Sequence, residues 1–240
     1  MSTTTPGAFA AALQEKRRRE RRRRLVGWGG AGSALVVVGF LVWLLAVSPV
    51  FRVHDVTVSG TDILTKEAVL EAAVVPGNQP MLGLDTDAIA ERIRLLPAVR
   101  DVTVGRDFPD TILIDVVERT VVYQRVAGSS YESVDADGVV FVTSGSPTEG
   151  VVQAVTAGND PRLLRDVAEV VSNIPEKLLP RVERVQAKAV DRITLELDEG
   201  DLVVWGSAEQ SPLKGDVLVA LVDVDARLYD VSAPSYPTTK

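Results

Sequence analysis

The 240-residue sequence contains no cysteine and only one histidine, and these scarcities exclude whole classes of chemistry. Without cysteine there are no disulfide bonds, no thiolate metal ligands and no thiol nucleophile. Imidazole catalysis would have to use His54, yet no Gly-x-Ser-x-Gly nucleophile elbow accompanies it. A lone histidine on a predicted strand is typical of a structural or solvated position. The sequence therefore predicts no catalytic residue, no metal site and no bound cofactor.

Two short motifs resemble ligand sites as patterns but not in their context. The run from Ser133 to Gly138 matches the start of an EF-hand calcium loop, but the position of its bidentate glutamate is Ser144. The glycines of residues 27–32 match the dinucleotide fingerprint, but they follow an arginine run and no strand precedes them. We interpret the first motif as a hairpin turn and the second as small residues of an apolar helix.

The net charge of −7 is distributed very unevenly along the chain. Residues 1–24 carry +6, from eight basic and two acidic side chains, which leaves −13 for the other 216 residues. Because recognition of phosphates needs a cationic face, so acidic a body argues against nucleic acid as its partner, and none is expected. Arginine outnumbers lysine by 20 to 6, a ratio typical of a high-GC bacterial genome.

An apolar run of 23 residues, Leu25–Val47, contains no charged side chain. As a helix it would extend roughly 35 Å, enough to cross a hydrocarbon core of about 30 Å. The arginine-rich segment of residues 16–24 precedes it, so the N-terminus is expected in the cytoplasm and everything after Val50 outside. The sequence thus predicts a basic cytoplasmic tail (1–24) and a transmembrane helix (25–47) in contact with inner-membrane lipid. The alternative, a cleaved signal peptide, is disfavoured because its apolar region spans only about 7–15 residues.

Residues 51–120 have the pattern of a β-α-α-β-β module. Thr65 caps a predicted helix, Lys66–Val75, and Asp85 or Thr86 caps a second helix. Ile93 lies on the apolar face of that second helix. The predicted strands are Val53–Val58, Val99–Gly105 and Thr111–Val117, of which the last two form a hairpin. The module is therefore α+β.

Residues 121–233 combine short β-rich runs with two helical segments, as in a mainly β domain of the α+β class. The helical segments are about Asp160–Asn173 and Pro212–Val224, and Asp137-Gly138 and Glu199-Gly200 mark hairpin turns. The predicted strands are Val121–Val126, Tyr131–Val134, Val139–Val142, Val151–Thr156, Val182–Ala187, Ile193–Leu197, Leu202–Trp205 and Arg227–Val231. Residues 234–240 are expected to form a C-terminal tail.

Several runs in both domains carry a family pattern at fixed offsets. The first-domain runs are Phe51-x-Val53-x-x-Val56-x-Val58-x-Gly60, Leu96-Pro97-Ala98-Val99, and Val102-Thr103-Val104-x-Arg106-x-x-Pro109-x-Thr111-x-x-Ile114-x-Val116-x-Glu118-Arg119. The second-domain runs are Val134-Asp135-x-x-Gly138-x-x-Phe141, Leu195-x-Leu197-x-x-Gly200-x-Leu202-Val203-x-x-Gly206, and Leu228-Tyr229-Asp230-Val231 after the helix bearing Lys214. They resemble the POTRA module and β domain of the FtsQ/DivIB family of bacterial cell-division proteins.

This resemblance implies a non-enzymatic scaffold of the divisome, enriched at the division septum. The implied partners are bitopic coiled-coil proteins of the FtsB/DivIC and FtsL kinds, through which septal peptidoglycan synthesis is controlled, and no small-molecule substrate is implied. Two alternatives stay open. A translocation or assembly protein would need repeated POTRA modules or a following barrel. An anchored extracytoplasmic sensor or enzyme would need a deep pocket with convergent polar groups.

Partner binding is expected at the C-terminal edge of the β domain. An unpaired edge strand offers backbone donors and acceptors to a further strand, and Pro234 and Pro237 discourage further pairing within the chain. The resemblance points to the same region, with Tyr229 and Tyr236 as aromatic anchors. The predicted binding residues are Arg227, Leu228, Tyr229, Asp230, Val231, Ser232 and Tyr236. The alternative is that Leu228 and Val231 merely complete the sheet and Tyr229 packs internally.

Overall fold

The structure, a computed structural model, describes residues 35–40, 43 and 48–240. The predicted tail (1–24) and residues 25–34, 41–42 and 44–47 of the predicted transmembrane helix lie outside the described residues. Residues 35–40 and 43 are helical, and their large apolar side chains are exposed. Within the described residues, no helix combines the length and the apolar character needed to cross a bilayer.

The chain divides into two compact units. The first contains the described residues up to 57 together with residues 75–86 and 104–113. The second contains residues 58–74, 87–103 and 114–240. Both units include part of the predicted POTRA module, and the second also holds all of the predicted β domain.

The N-terminal elements occur in the β-α-α-β-β order that the sequence predicts. They are β1 (Asp55–Ser59), α1 (Lys66–Ala73), α2 (Thr86–Arg94), β2 (Val99–Asp107) and β3 (Thr111–Glu118). Their strands form a three-stranded sheet in the order β1-β3-β2. The buried residues of β3 alternate along the strand, as expected for one face against a core: Ile112, Ile114 and Val116.

Local interactions set the bounds of the two helices. The Thr65 hydroxyl accepts a hydrogen bond from the Ala68 N–H at 3.2 Å, which caps the start of α1 as predicted. The helix ends earlier than predicted because Val74 adopts the left-handed conformation, with φ of 46°. In α2 the inward face consists of Ile89, Ala90 and Ile93, all buried. The amphipathic pattern of the sequence is therefore realised in this helix.

The C-terminal region is built on a nine-stranded mixed sheet. Its strands are β4 (Tyr123–Ala127), β5 (Ser130–Val134), β6 (Val140–Ser144), β7 (Gln153–Thr156), β8 (Val182–Ala189), β9 (Arg192–Leu197), β10 (Leu202–Gly206), β11 (Leu228–Asp230) and β12 (Thr238–Thr239). They are ordered β12-β11-β10-β9-β8-β7-β4-β5-β6. Against the sheet pack apolar side chains of α3 (Pro161–Ser172) and α4 (Ser211–Leu221).

Each helix of this region links a pair of parallel strands. α3 lies between β7 and β8, and α4 lies between β10 and β11. Parallel neighbours cannot be joined by a tight turn, so a crossover segment is required. Asp160 caps α3 by accepting from the Arg162 N–H at 2.9 Å, and Pro161 occupies the first helical position. The two predicted helical segments are thus the crossovers that position β8 and β11.

Candidate functional site: the C-terminal edge of the sheet

Strand β11 lies between two other strands. It pairs in parallel with β10 and antiparallel with β12. The prediction that the strand around Tyr229 is left as an open edge is therefore wrong. The two prolines lack donors, but they lie in the connection, where the Tyr236 N–H donates to the Ala233 carbonyl at 2.9 Å. The chain then returns, so Thr238–Thr239 extends the sheet within the segment predicted as a tail.

Tyr229 is a core residue and not an exposed anchor. It is 3% exposed, and its hydroxyl donates to the Val224 carbonyl at 2.8 Å. Val231 is fully buried, and its N–H donates to the Val204 carbonyl at 3.0 Å. These residues agree with the alternative prediction, in which the strand completes the sheet and Tyr229 packs internally. Tyr229 and Val231 are therefore withdrawn as contact residues for a partner.

The other predicted residues differ in exposure. Leu228 and Asp230 are half-buried within β11. The carboxylate of Asp230 accepts hydrogen bonds from the N–H and the hydroxyl of Ser232, at 3.0 and 2.6 Å. Arg227, Ser232 and Tyr236 are exposed, and Tyr236 is the most open of them at 84%. These three side chains remain available to another molecule.

The sheet has an edge strand at each end, β6 and β12, and β12 is the edge strand in the C-terminal region. Which backbone groups of β12 face outward follows from its hydrogen bonds to β11. Lys240 and Leu228 exchange two backbone hydrogen bonds, each 3.0 Å long. In an antiparallel pair such residues alternate with pairs that make no hydrogen bonds to each other. Thr239, opposite Tyr229, belongs to the second kind. The N–H and C=O of Thr239 therefore face away from β11, toward the open side of the sheet.

A buried lysine holds the chain that follows β10. Lys214, at the start of α4, is 1% exposed, and its ammonium donates to the carbonyl oxygens of Trp205 at 3.0 Å and Ser207 at 2.8 Å. Burial lowers the pKa of Lys214. A Cβ added at Gly206 would lie 2.9 Å from the Cβ of Ser232, so the ends of β10 and β11 are closely packed. In the sequence Lys214 is only part of a family pattern, because a lone lysine gives no indication of burial.

The EF-hand-like run is a structural turn, as interpreted. The carboxylate of Asp135 accepts hydrogen bonds from the N–H groups of Asp137 and Val139, at 3.0 and 2.8 Å, and pairs with the guanidinium of Arg119. Across the described residues, no group of three or more acidic or histidine side chains is arranged to hold a metal ion. Asp135 therefore organises the hairpin between β5 and β6.

A cleft of about 440 Å³ lies beside the start of β8. It is lined mainly by apolar side chains, with Gln153 and Glu183 as the polar ones. Catalysis needs a positioned base, nucleophile or metal. Among the lining side chains, the carboxylate of Glu183 can act as a base, and the amide of Gln153 is not a nucleophile.

Comparison with known proteins assigns both regions to one group. Residues 51–119 match the model of the FtsQ-type POTRA domain, and residues 122–233 match the model of the C-terminal domain of the cell division protein FtsQ/DivIB. Proteins named Cell division protein FtsQ are similar over most of the chain. One from Streptomyces bingchenggensis is 38% identical, covering 87% of this chain and 83% of its own, and one from Streptomyces coelicolor is 36% identical, covering 86% and 84%.

Two further matches have lower coverage or lower similarity. The FtsQ of Mycolicibacterium smegmatis is 35% identical, covering 82% of this chain and 60% of its own. Among solved structures, the major extracytoplasmic domain of the trans isomer of DivIB from Geobacillus stearothermophilus matches with a TM-score of 0.35 and 13% identity. That match covers 45% of this chain and 98% of the DivIB domain.

Proposed function

Since the chain belongs to the FtsQ/DivIB family of bacterial cell division proteins, we propose that it is a membrane-anchored divisome scaffold that acts by binding other proteins and performs no chemistry. The observation that carries this proposal is the open edge β12, where Thr239 directs a backbone donor and acceptor outward. A scaffold must offer such a surface. The open edge with its exposed neighbours Arg227, Ser232 and Tyr236 is hereafter the candidate edge.

The mode of binding is addition of a partner strand beside β12. Main-chain hydrogen bonds give affinity in this mode, and side chains next to the edge give specificity. Tyr236, 84% exposed, supplies a large amphipathic ring of the kind enriched at binding hot spots. The partners we propose are bitopic coiled-coil proteins of the FtsB/DivIC and FtsL kinds. Through them the protein helps to control septal peptidoglycan synthesis.

The proposed topology follows from the uncharged run at residues 25–47 and the basic segment before it. One helix crosses the cell membrane, the N-terminus lies in the cytoplasm, and residues 51–240 lie outside. The described part of that run, residues 35–40 and 43, is helical with exposed apolar side chains. A reporter fused at residue 10 should be active only in the cytoplasm, and one fused after Lys240 only outside. Reversed or dual activity contradicts this topology.

Two substitutions of Thr239 can distinguish backbone pairing at the candidate edge from side-chain effects. Thr239→Pro removes the outward N–H while leaving the hydrogen bonds between Lys240 and Leu228 in place. Thr239→Val changes the side chain but keeps the N–H. With full-length protein and a purified FtsB/DivIC-like partner, we expect Thr239→Pro to abolish most binding and Thr239→Val to retain it.

The same experiment has two further controls. Circular dichroism must show that Thr239→Pro is folded, and Tyr236→Ser should weaken binding without affecting the fold. If folded Thr239→Pro binds the partner with wild-type affinity, β12 is not the site. In dividing cells, a fluorescent fusion should concentrate at the septum, and a uniform membrane signal argues against the scaffold function.

The alternative function is that of a translocation or assembly protein. It requires repeated POTRA modules or a barrel of many membrane-spanning strands. The two matched family models describe one POTRA module at residues 51–119 followed by a C-terminal division domain. The scaffold proposal accounts for both.

A further inference from the structure

An aromatic pair lies where the chain enters the first module. The rings of Phe51 and Phe108 are 6.4 Å apart and meet edge to face, with an interplanar angle of 64°. Phe108 is 54% exposed in the turn between β2 and β3, and Val50 is 58% exposed. The exposed Phe108 ring thus pairs with the half-buried Phe51 ring, and the exposed Val50 directly precedes Phe51 in the chain.

Backbone hydrogen bonds fix this group relative to the rest of its unit. The Val53 N–H donates to the Gln79 carbonyl at 2.9 Å, and the Asn78 N–H donates to the Val53 carbonyl at 3.0 Å. The N–H groups of His54 and Asp55 donate to the Asp110 carbonyl, at 2.9 and 3.3 Å. These bonds fix the chain just after Phe51 against the end of the β2–β3 turn that carries Phe108.

The connection between the proposed transmembrane helix and the aromatic pair is short. The predicted transmembrane helix ends at Val47, and the four peptide units to Phe51 reach at most about 15 Å. The Ser48 hydroxyl accepts from the Val50 N–H at 3.3 Å, which shortens this connection by a turn. With the proposed topology, this connection keeps Phe51, and Phe108 with it, within about 15 Å of the end of the transmembrane helix.

We propose that Val50, Phe51 and Phe108 form an apolar tip that inserts into the outer interfacial layer of the lipid bilayer. The proposal rests on the proposed membrane topology and adds a lipid-binding surface to it. Aromatic side chains are enriched at the headgroup level of membranes. Asp107 and Asp110 flank Phe108, and because carboxylates must stay hydrated they confine the tip to that level. The consequence is a second attachment that holds the first module against the membrane.

The cysteine-free sequence permits a direct test with one introduced label. Gln79→Cys, at an exposed position whose carbonyl accepts from the Val53 N–H, is labelled with an environment-sensitive fluorophore in full-length protein reconstituted into lipid nanodiscs that contain shallow spin-labelled lipid. With Phe108 intact, we expect strong quenching by the spin label. In an added Phe108→Ser variant the inserted population should fall roughly tenfold, since about half of a phenylalanine's burial is lost. Phe108→Trp should restore it.

The possible outcomes separate the insertion of the tip from the topology. Co-elution of the protein with lipid shows that the chain is anchored, and failure to co-elute overturns both the topology and this inference. A contrary result is equal quenching in the anchored protein and in its Phe108→Ser variant. In that case the label is near lipid only because the chain is tethered, and the tip does not insert. Absence of quenching in both variants also overturns the inference.

Discussion

Lys214 and Trp205 are joined by a buried hydrogen bond, 3.0 Å from the lysine ammonium to the tryptophan carbonyl oxygen. The side chain of the same tryptophan is also hydrogen-bonded: its indole N–H donates to the Ser211 hydroxyl at 3.0 Å. Even a neutral amine has two N–H groups for the two carbonyl oxygens that Lys214 satisfies. The lowered pKa of Lys214 is therefore compatible with its structural task.

Removing this lysine side chain should destabilise the β domain. Lys214→Ala removes the ammonium donor from the buried Trp205 carbonyl and from the partly buried Ser207 carbonyl, and we expect a loss of about 2–4 kcal/mol in the free energy of unfolding. Lys188→Ala, at an exposed position in β8, is the matched control and should change that free energy by less than about 0.5 kcal/mol. Denaturant unfolding measures both. Equal midpoints would contradict a structural role for Lys214.

The second prediction concerns the packing of α2. Ile93 is fully buried, and Ile93→Ala should lower the free energy of unfolding by about 2–5 kcal/mol, because it removes apolar contacts and leaves a cavity. Leu95, two residues later, is 81% exposed, so Leu95→Ala should be nearly neutral. Thermal unfolding of the purified outer region can compare them. An unchanged midpoint for Ile93→Ala would mean that this helix face does not support the core.

Gly60 and Gly128 provide a third, paired prediction. Both have positive φ, 76° and 67°, but a Cβ at Gly60 would lie 2.0 Å from the Val116 carbonyl oxygen, whereas nothing lies within 4 Å of one at Gly128. Gly128→Ala should therefore cost only the backbone strain, about 1–2 kcal/mol. Gly60→Ala must also displace β3 and should cost more than about 3 kcal/mol. If a denaturant titration gives similar losses in the free energy of unfolding for Gly60→Ala and Gly128→Ala, the chain relieves the steric clash at Gly60.

Features of the first module that depend on local sequence pattern could be predicted from the sequence. Capping by Thr65, the face of α2 that carries Ile93, and the alternation of β3 depend on residues close together in the chain. The family and the order of helices and strands could also be predicted from short sequence patterns. The helix bounds were less accurate, because one left-handed residue, Val74, ended α1 early.

The candidate edge could not be predicted in the same way, because it depends on contacts distant in sequence. β12 has only two residues, so no alternation exists in the sequence to indicate it. Its pairing depends on the chain returning to Leu228 after Pro237. That return buries Tyr229 between β10 and β12, and it moves the free backbone donor to Thr239. The sequence indicates that the sheet ends in this region, but it does not indicate which strand is the edge.

The carboxylate of Glu118 is the subject of the last prediction. It accepts hydrogen bonds from the N–H groups of Asp62, Ile63 and Leu64, at 3.0, 2.7 and 2.7 Å, in the loop before α1. Burial acts to raise the pKa of Glu118, but the three N–H donors outweigh it, and the pKa lies below its ordinary value of 4.5. The loop is thus stabilised by the charged form of the side chain.

A carboxyl group whose pKa is lower in the folded than in the unfolded state contributes stability that is complete above the unfolded-state pKa. That contribution is lost as the pH falls through the folded-state pKa. Glu118→Gln keeps an acceptor oxygen without the charge, so it should cost about 1 kcal/mol at pH 7, given partial solvent screening. The difference from wild type should shrink when unfolding is measured at about pH 3. Glu183→Gln, at an exposed position, is the control for the substitution itself and should change the free energy of unfolding by less than about 0.5 kcal/mol at pH 7. A difference between Glu118→Gln and wild type that is the same at both pH values would mean that the charge of Glu118 does not stabilise the loop.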